Sequence, residues 1–199
     1  MTAIASSEGG DNVYYDVPNA TRAKTLTQMR LKWHQQFSLT RIVTFVGLLS
    51  SFWMKDDHDF RYNDADCAGT KEPSAALGIH TFKEQMPVVP SDDFDRVTYR
   101  TVRATAHVQL WLLEVRDYRS PNTMADGPDK SIWSTKQREW VKRTLVESDA
   151  KRRSGCVLRR TVASSVDPSR WRNCPRRPRR YSRLAGQNIP RHQIISAWP

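Results

Sequence analysis

Residues 51–66 read SFWMKDDHDFRYNDAD. Ser51 to Met54 predict the end of a buried strand, and Lys55-Asp56-Asp57-His58-Asp59 follow at once, with Asn63, Asp64 and Asp66 close behind. In open α/β sheets, sites collect at the carboxyl ends of strands. Several carboxylate oxygens suit a hard cation such as calcium or magnesium. An imidazole beside them binds a borderline metal or moves a proton. A solvated acidic loop has the same composition, so this stretch alone leaves both readings open.

Working outward, Ile42, Val43, Phe45, Val46 and Leu49 predict a short helix over 41–49. Before it, Leu26, Met29, Trp33 and Phe37 form one stripe of a 3.6-residue period. That predicts a helix over 21–37, opened by Pro18-Asn19 or Thr21. Residues 1–10 are small and polar and are expected to fray. After an acidic loop at 60–73, Ala75, Gly78, Ile79, Phe82 and Met86 predict a helix over 75–85, stopped by Pro87 and Pro90. Residues 97–103 and 106–115 read as strands. The unbroken apolar run Leu110 to Leu113 suits a strand covered on both faces. Ser134 opens a last helix over 135–148, with Gln137 at the capping-box position and Trp133, Trp140, Val141 and Leu145 on the same face. Trp33, Trp53, Trp111 and Trp140 are expected in the core, and His34, His80 and His107 are read as structural.

The chain has 199 residues and a net charge of +11, unevenly spread. Residues 1–150 carry 19 Lys and Arg against 20 Asp and Glu, while residues 151–199 carry 13 against one. This excludes a uniformly basic nucleic-acid-binding domain. Cys67, Cys156 and Cys174 have no C-x-x-C spacing, so neither a zinc ribbon nor a disulfide framework is expected. The longest apolar stretch, Ile42 to Met54, is too short to span a bilayer. There is no G-x-S-x-G, P-loop or G-x-G-x-x-G motif. Two further groups remain. Gly10-Asp11-x-x-Tyr14 on its own is a turn pair. Arg116-Asp117-Tyr118-Arg119 offers two guanidinium groups that could grip a phosphate, or an ordinary surface ion pair.

In combination these pieces resemble the alkaline phosphatase D (PhoD-like) branch of the calcineurin-like metallophosphatases. The segments that carry the resemblance stand in the family's order: GDNVYYD (10–16), LTQMRLKWHQQF (26–37), WMKDDHDFRYNDAD (53–66), GIHTFKEQMP (78–87), TYRTVR (98–103), LWLLEVRDYRSPN (110–122), DGPDKSIW (126–133) and QREWVKRTLVESDA (137–150). The resemblance implies an α/β fold, part of an α/β/β/α metallophosphatase sandwich, over residues 10–150. It implies hydrolysis of phosphate esters at a two-metal centre, commonly iron with calcium. It places metal ligands at Asp11, Tyr14 and Asp57, and a proton donor or transition-state stabiliser at His58. Asn63, Arg116 and Arg119 become candidate substrate contacts.

Departures from the family pattern set further expectations. Residues 1–9 read as a disordered start, without the usual apolar strand before Gly-Asp. After Ala150 the chain lacks the further apolar strand, the G-D-R-H motif and the later His ligands of relatives, and offers only His192. Residues 151–199, rich in Arg and Pro, are expected to form a disordered basic tail that does not pack as a continuation of the domain. The abrupt change of composition is what a shifted reading frame would leave. With half its ligands missing, the centre is expected to be weakly active or inactive. The alternative is a non-enzymatic protein that binds nucleic acid or another polyanion through the tail, where Trp171 and Tyr181 could stack on bases. The family is often exported, and Met1 to Gly10 show no signal peptide, so the compartment stays open.

Overall fold

The computed structural model describes residues 5–150 and 152–156, with side chains for 9–150. In chain order the elements are strand β1 (Ala5–Glu8), helices α1 (Leu26–Phe37) and α2 (Thr40–Leu48), strand β2 (Ser50–Trp53), helix α3 (Ala75–Gln85), strands β3 (Arg100–Thr105) and β4 (Val108–Leu112), helix α4 (Thr135–Glu147) and strand β5 (Arg152–Cys156). The chain is thus a mixed α/β structure. β1 and β2 pair in parallel, with Glu8 opposite Trp53. β3 and β4 form an antiparallel pair, and β5 adds to β4 in parallel. Both parallel pairs are joined through helices, as a parallel connection requires.

Each helix forms for local reasons. Thr25 caps α1 through a full capping box with Gln28, so the helix starts at Leu26, not at Thr21. The Pro18–Asn19 region makes only a 3₁₀ turn, Asn19–Thr21. Ser74 caps α3 and Ser134 caps α4, each accepting from the backbone three residues on. Gln137, however, does not complete a capping box. Its side chain turns inward, accepting from Glu114 N at 3.0 Å and donating to Glu114 O at 2.8 Å. The buried ladder end of β4 competes for the amide and wins, because an unpaired buried backbone group costs more than an open helix end.

Two apolar clusters hold the elements. Val13, Tyr15, Ala23, Met29, Trp33, Trp53, Phe82, Met86 and Val88 pack between the residue 10–23 loop, α1, β2 and α3. Trp111, Leu113, Val115, Trp133 and Val141 join β4 to α4. Met54 and Leu112 touch between the two sheets. α2 is the exception. Its apolar stripe is real, yet no residue of it is buried, and Val43, Phe45 and Leu48 are exposed.

Three expectations change. Ala5–Glu8 form a strand where a frayed start is expected. Arg152–Cys156 form a strand on β4 where the basic segment was not expected to pack. Strand β4 ends at Leu112, not at residue 115, and the chain bends and turns over residues 115–118. Residues 157–199, and with them the rest of the expected disordered tail, lie outside the described residues. No helix among the described residues is long and apolar enough to cross a membrane.

Candidate metal centre

The parallel register of β1 and β2 explains why distant acidic residues meet. Glu8 and Trp53 are partners at the strand ends. Asp11 and Asp57 follow three and four residues later, so both fall at the same carboxyl edge, where strand-end loops gather. Gly10 makes the close approach possible. It has φ +109°, and a Cβ there would lie 2.7 Å from Asp56 N, a position that only glycine fills without strain. Asp11 itself is held at φ +54°. An aspartate in that region is uncommon and often marks a functional site.

The two loops are stitched together. Asn12 N donates to Asp59 Oδ2 at 3.1 Å, and Asn12 Nδ2 donates to Met54 O at 2.9 Å. Tyr15 N donates to His58 O at 3.2 Å. Asp59 is wholly buried and also accepts from Asp56 N at 2.7 Å. Burial pushes its carboxyl up to about 8, against the pull of those N–H donors. From the far side, α3 presses on this turn so closely that a Cβ on Gly78 would meet Phe60 O at 2.1 Å.

Asp11, Asp57 and His58 each bring one ligand atom to within 4.8 Å of the others. Tyr14 joins them. Its hydroxyl donates to Asp11 Oδ2 at 3.1 Å, and its ring stacks on His58 with centroids 4.3 Å apart. Asp57 is fully buried, and its Oδ1 accepts no hydrogen bond among the described residues. Burial pushes this carboxyl up, but the Arg116 guanidinium, the Asp64 N–H and His58 outweigh burial and hold it below the ordinary carboxylate range. Asp56, pushed by burial up to about 6 against Arg116, points away to that guanidinium. A buried anionic oxygen without a hydrogen-bond donor, beside a second carboxylate and an imidazole, is a donor set that fits a hard or borderline cation.

The other predicted residues divide. Arg116 is buried and donates through Nε to Asp56 Oδ1 at 2.7 Å and through Nη1 to Ala65 O at 3.1 Å, with Asp57 Oδ1 3.7 Å away. Of the two readings open for it, an ion pair or a phosphate grip, the ion pair is the contact seen, to the Asp56 carboxylate. Arg119 is half-buried and, among the described residues, donates through Nε to Asn122 Oδ1 at 3.1 Å. Asn63 N donates to Asp16 Oδ2 at 2.9 Å, and its amide donates to Asp64. Asp16, absent from the sequence expectations, bonds His58 Nδ1 at 2.7 Å. No local pattern marks it, because residues 12–18 are bent and its partner lies 42 positions along the chain.

Comparison with known proteins follows the geometry. Among curated proteins none matches the chain. The solved structure of PhoD superposes with a TM-score of 0.62 at 19% identity, covering 76% of this chain and 35% of that one. The likeness shows a shared fold, and the chain spans about a third of that structure's length. The PhoD-like phosphatase family model matches residues 3–195. The matched span runs well beyond residues 10–150, where the quoted segments lie, and takes in most of the basic segment. By that match, the chain belongs to the PhoD-like phosphatase family.

Proposed function

We propose that the chain is a metal-dependent phosphoric ester hydrolase whose centre lies at the carboxyl ends of β1 and β2. The observation that carries this reading is the convergence of Asp11, Asp57 and His58 within 4.8 Å around a buried carboxylate oxygen that accepts no hydrogen bond among the described residues. Membership of a metal-dependent phosphatase family supports it. The described elements are taken as part of an α/β/β/α sandwich. Asp11, Asp57 and Tyr14 hold the metal, and iron with calcium is the pair that the family resemblance implies. A bound pair supplies the Lewis acidity and the activated water that hydrolysis of a phosphate ester needs.

The chain's own residues do the rest. Asp16 engages His58 Nδ1, which leaves Nε2 for the leaving oxygen, so a carboxylate-oriented imidazole serves as proton donor. Arg116 holds Asp56 and Asp57 in place. Arg119 and, with it, Asn63 face the phosphoryl group. The alternative, polyanion binding through residues 151–199, falls almost wholly outside the described residues. The test is release of p-nitrophenol from mono- and bis-(p-nitrophenyl) phosphate by the purified chain with iron and calcium added. Weak turnover that stops with EDTA and in Asp57→Asn is expected. Turnover indifferent to both, or none with metal present, contradicts the reading.

A further inference from the structure

The segment after β4 makes its own approach to the centre. Loop 120–131 is closed at its neck, with Ser120 N donating to Ser131 O at 2.8 Å and Ser131 N donating to Ser120 Oγ at 3.0 Å. Inside it, Lys130 Nζ donates to Met124 O at 2.6 Å and to Asp126 Oδ1 at 3.0 Å. From this braced loop Asn122 reaches across to the loop that follows His58. Its Nδ2 donates to Asp64 O at 2.6 Å, and its N donates to Asp66 Oδ2, also at 2.6 Å. Its Oδ1 accepts from Arg119 Nε at 3.1 Å.

Both ends of that amide matter. Asp64 stands at φ +57° and donates its N–H to Asp57 Oδ2, so the carbonyl that Asn122 grips belongs to a residue touching a candidate ligand. Arg119 is half-buried near Asp56, Asp64 and Asp66, and its terminal nitrogens have no hydrogen-bond or ion-pair partner among the described residues. A guanidinium held by Nε with both terminal nitrogens open presents the two-pronged donor that matches phosphate oxygens.

We propose that Asn122 is a positioning residue for the phosphoryl group: it aligns Arg119 with the Asp57 loop and thereby sets affinity for phosphate. The proposal rests on the phosphatase reading above. Asn122→Ala removes both side-chain bonds and leaves the backbone bond to Asp66, so the loop stays attached.

The experiment uses the full chain with iron and calcium, and compares the parent, Asn122→Ala, Arg119→Ala and the double variant. Each is read by KM and kcat for p-nitrophenyl phosphate, by inhibition with inorganic phosphate, and by bound metal. Asn122→Ala is expected to raise KM and the phosphate inhibition constant about tenfold while kcat moves less, the pattern of lost ground-state binding. The double variant should be no worse than Arg119→Ala within about twofold, because coupled residues are not additive. Parent-like phosphate inhibition in Asn122→Ala overturns the proposal, as do effects that multiply in the double variant or loss of metal from Asn122→Ala. A metal-loaded parent that neither hydrolyses the ester nor binds phosphate overturns the phosphatase reading, and this proposal falls with it.

Discussion

Two clusters of buried charge lie side by side, and they are built on opposite plans. In one, Lys55 Nζ, wholly buried, reaches Glu114 Oε2 at 3.1 Å and Asp117. Thr98 Oγ1 donates to both carboxylates, at 2.9 and 3.0 Å, and Glu114 Oε1 accepts from Val115 N at 3.0 Å and Arg116 N at 2.8 Å. The cation raises no open question. Burial pulls the Lys55 ammonium down, but the two carboxylates outweigh it and hold it above its usual range. In the other, Asp11 and Asp57 converge with His58, Asp16 engages that imidazole, and the firmly held cation, Arg116, engages Asp56 beside Asp57. The first knot is satisfied by its own members. The second keeps more negative charge than it neutralises, at a strand edge where loops converge. Desolvated charge is tolerated when paired and costly when not, so an unbalanced cluster reads as a place for a bound cation.

The comparison breaks most sharply at Lys55. Lys55→Met leaves two buried carboxylates unpaired and should cost about 3–5 kcal/mol, the usual penalty for removing one partner of a buried pair. Urea unfolding in EDTA and in metal should show the same loss. Gly10→Ala comes next. The added Cβ meets Asp56 at a φ that side chains resist, and a destabilisation of about 1–3 kcal/mol is expected. Because it spreads the Asp11 and Asp57 loops, its loss should be larger in metal than in EDTA. Gln137→Leu strips partners from Glu114 N and O, and about 1–3 kcal/mol should go, independent of metal. Thermal melts in both buffers sort these variants between the two clusters.

The smallest effect is chemical. Cys67 Sγ donates to Arg116 O at 3.2 Å and to Asp117 O at 3.1 Å, between the clusters. Cys67 is exposed, yet partial desolvation and Asp117 push its thiol up to about 11. Thiolate is the reactive form, and a raised value leaves it scarce at neutral pH. Alkylation of Cys67 at pH 8, followed by mass spectrometry, should be roughly 100-fold slower than that of an unperturbed cysteine and should climb as pH approaches 11. A neutral-pH rate like that of a free cysteine contradicts the packing at this junction.

Legibility of the sequence followed the strength of local signals. α3 was readable to the residue, because an apolar stripe and the stop at Pro87 agree. Asp11, Tyr14, Asp57 and His58 were named together through motif order, and the structure brings them together through a strand register that no local pattern displays. β1 and β5 were missed. ASSE and RRSGC carry no alternation, and their strands are made by backbone pairing to a neighbour. For Arg116 the sequence left a phosphate grip and an ion pair both open, because it shows the charge but not the Asp56 carboxylate beside it. Asp16 and Asn122 were invisible for the same reason. Their importance lies in partners tens of residues away.

The central claim is that the acidic cluster is a cation site. Its most direct test is calorimetric titration of the metal-stripped chain with manganese or calcium, beside Asp57→Asn and Lys130→Ala. Saturable binding is expected for the parent and for Lys130→Ala, with its loss in Asp57→Asn and a melting temperature of Asp57→Asn in EDTA no lower than the parent's. Binding that survives in Asp57→Asn, or a parent that takes up no metal, would contradict it.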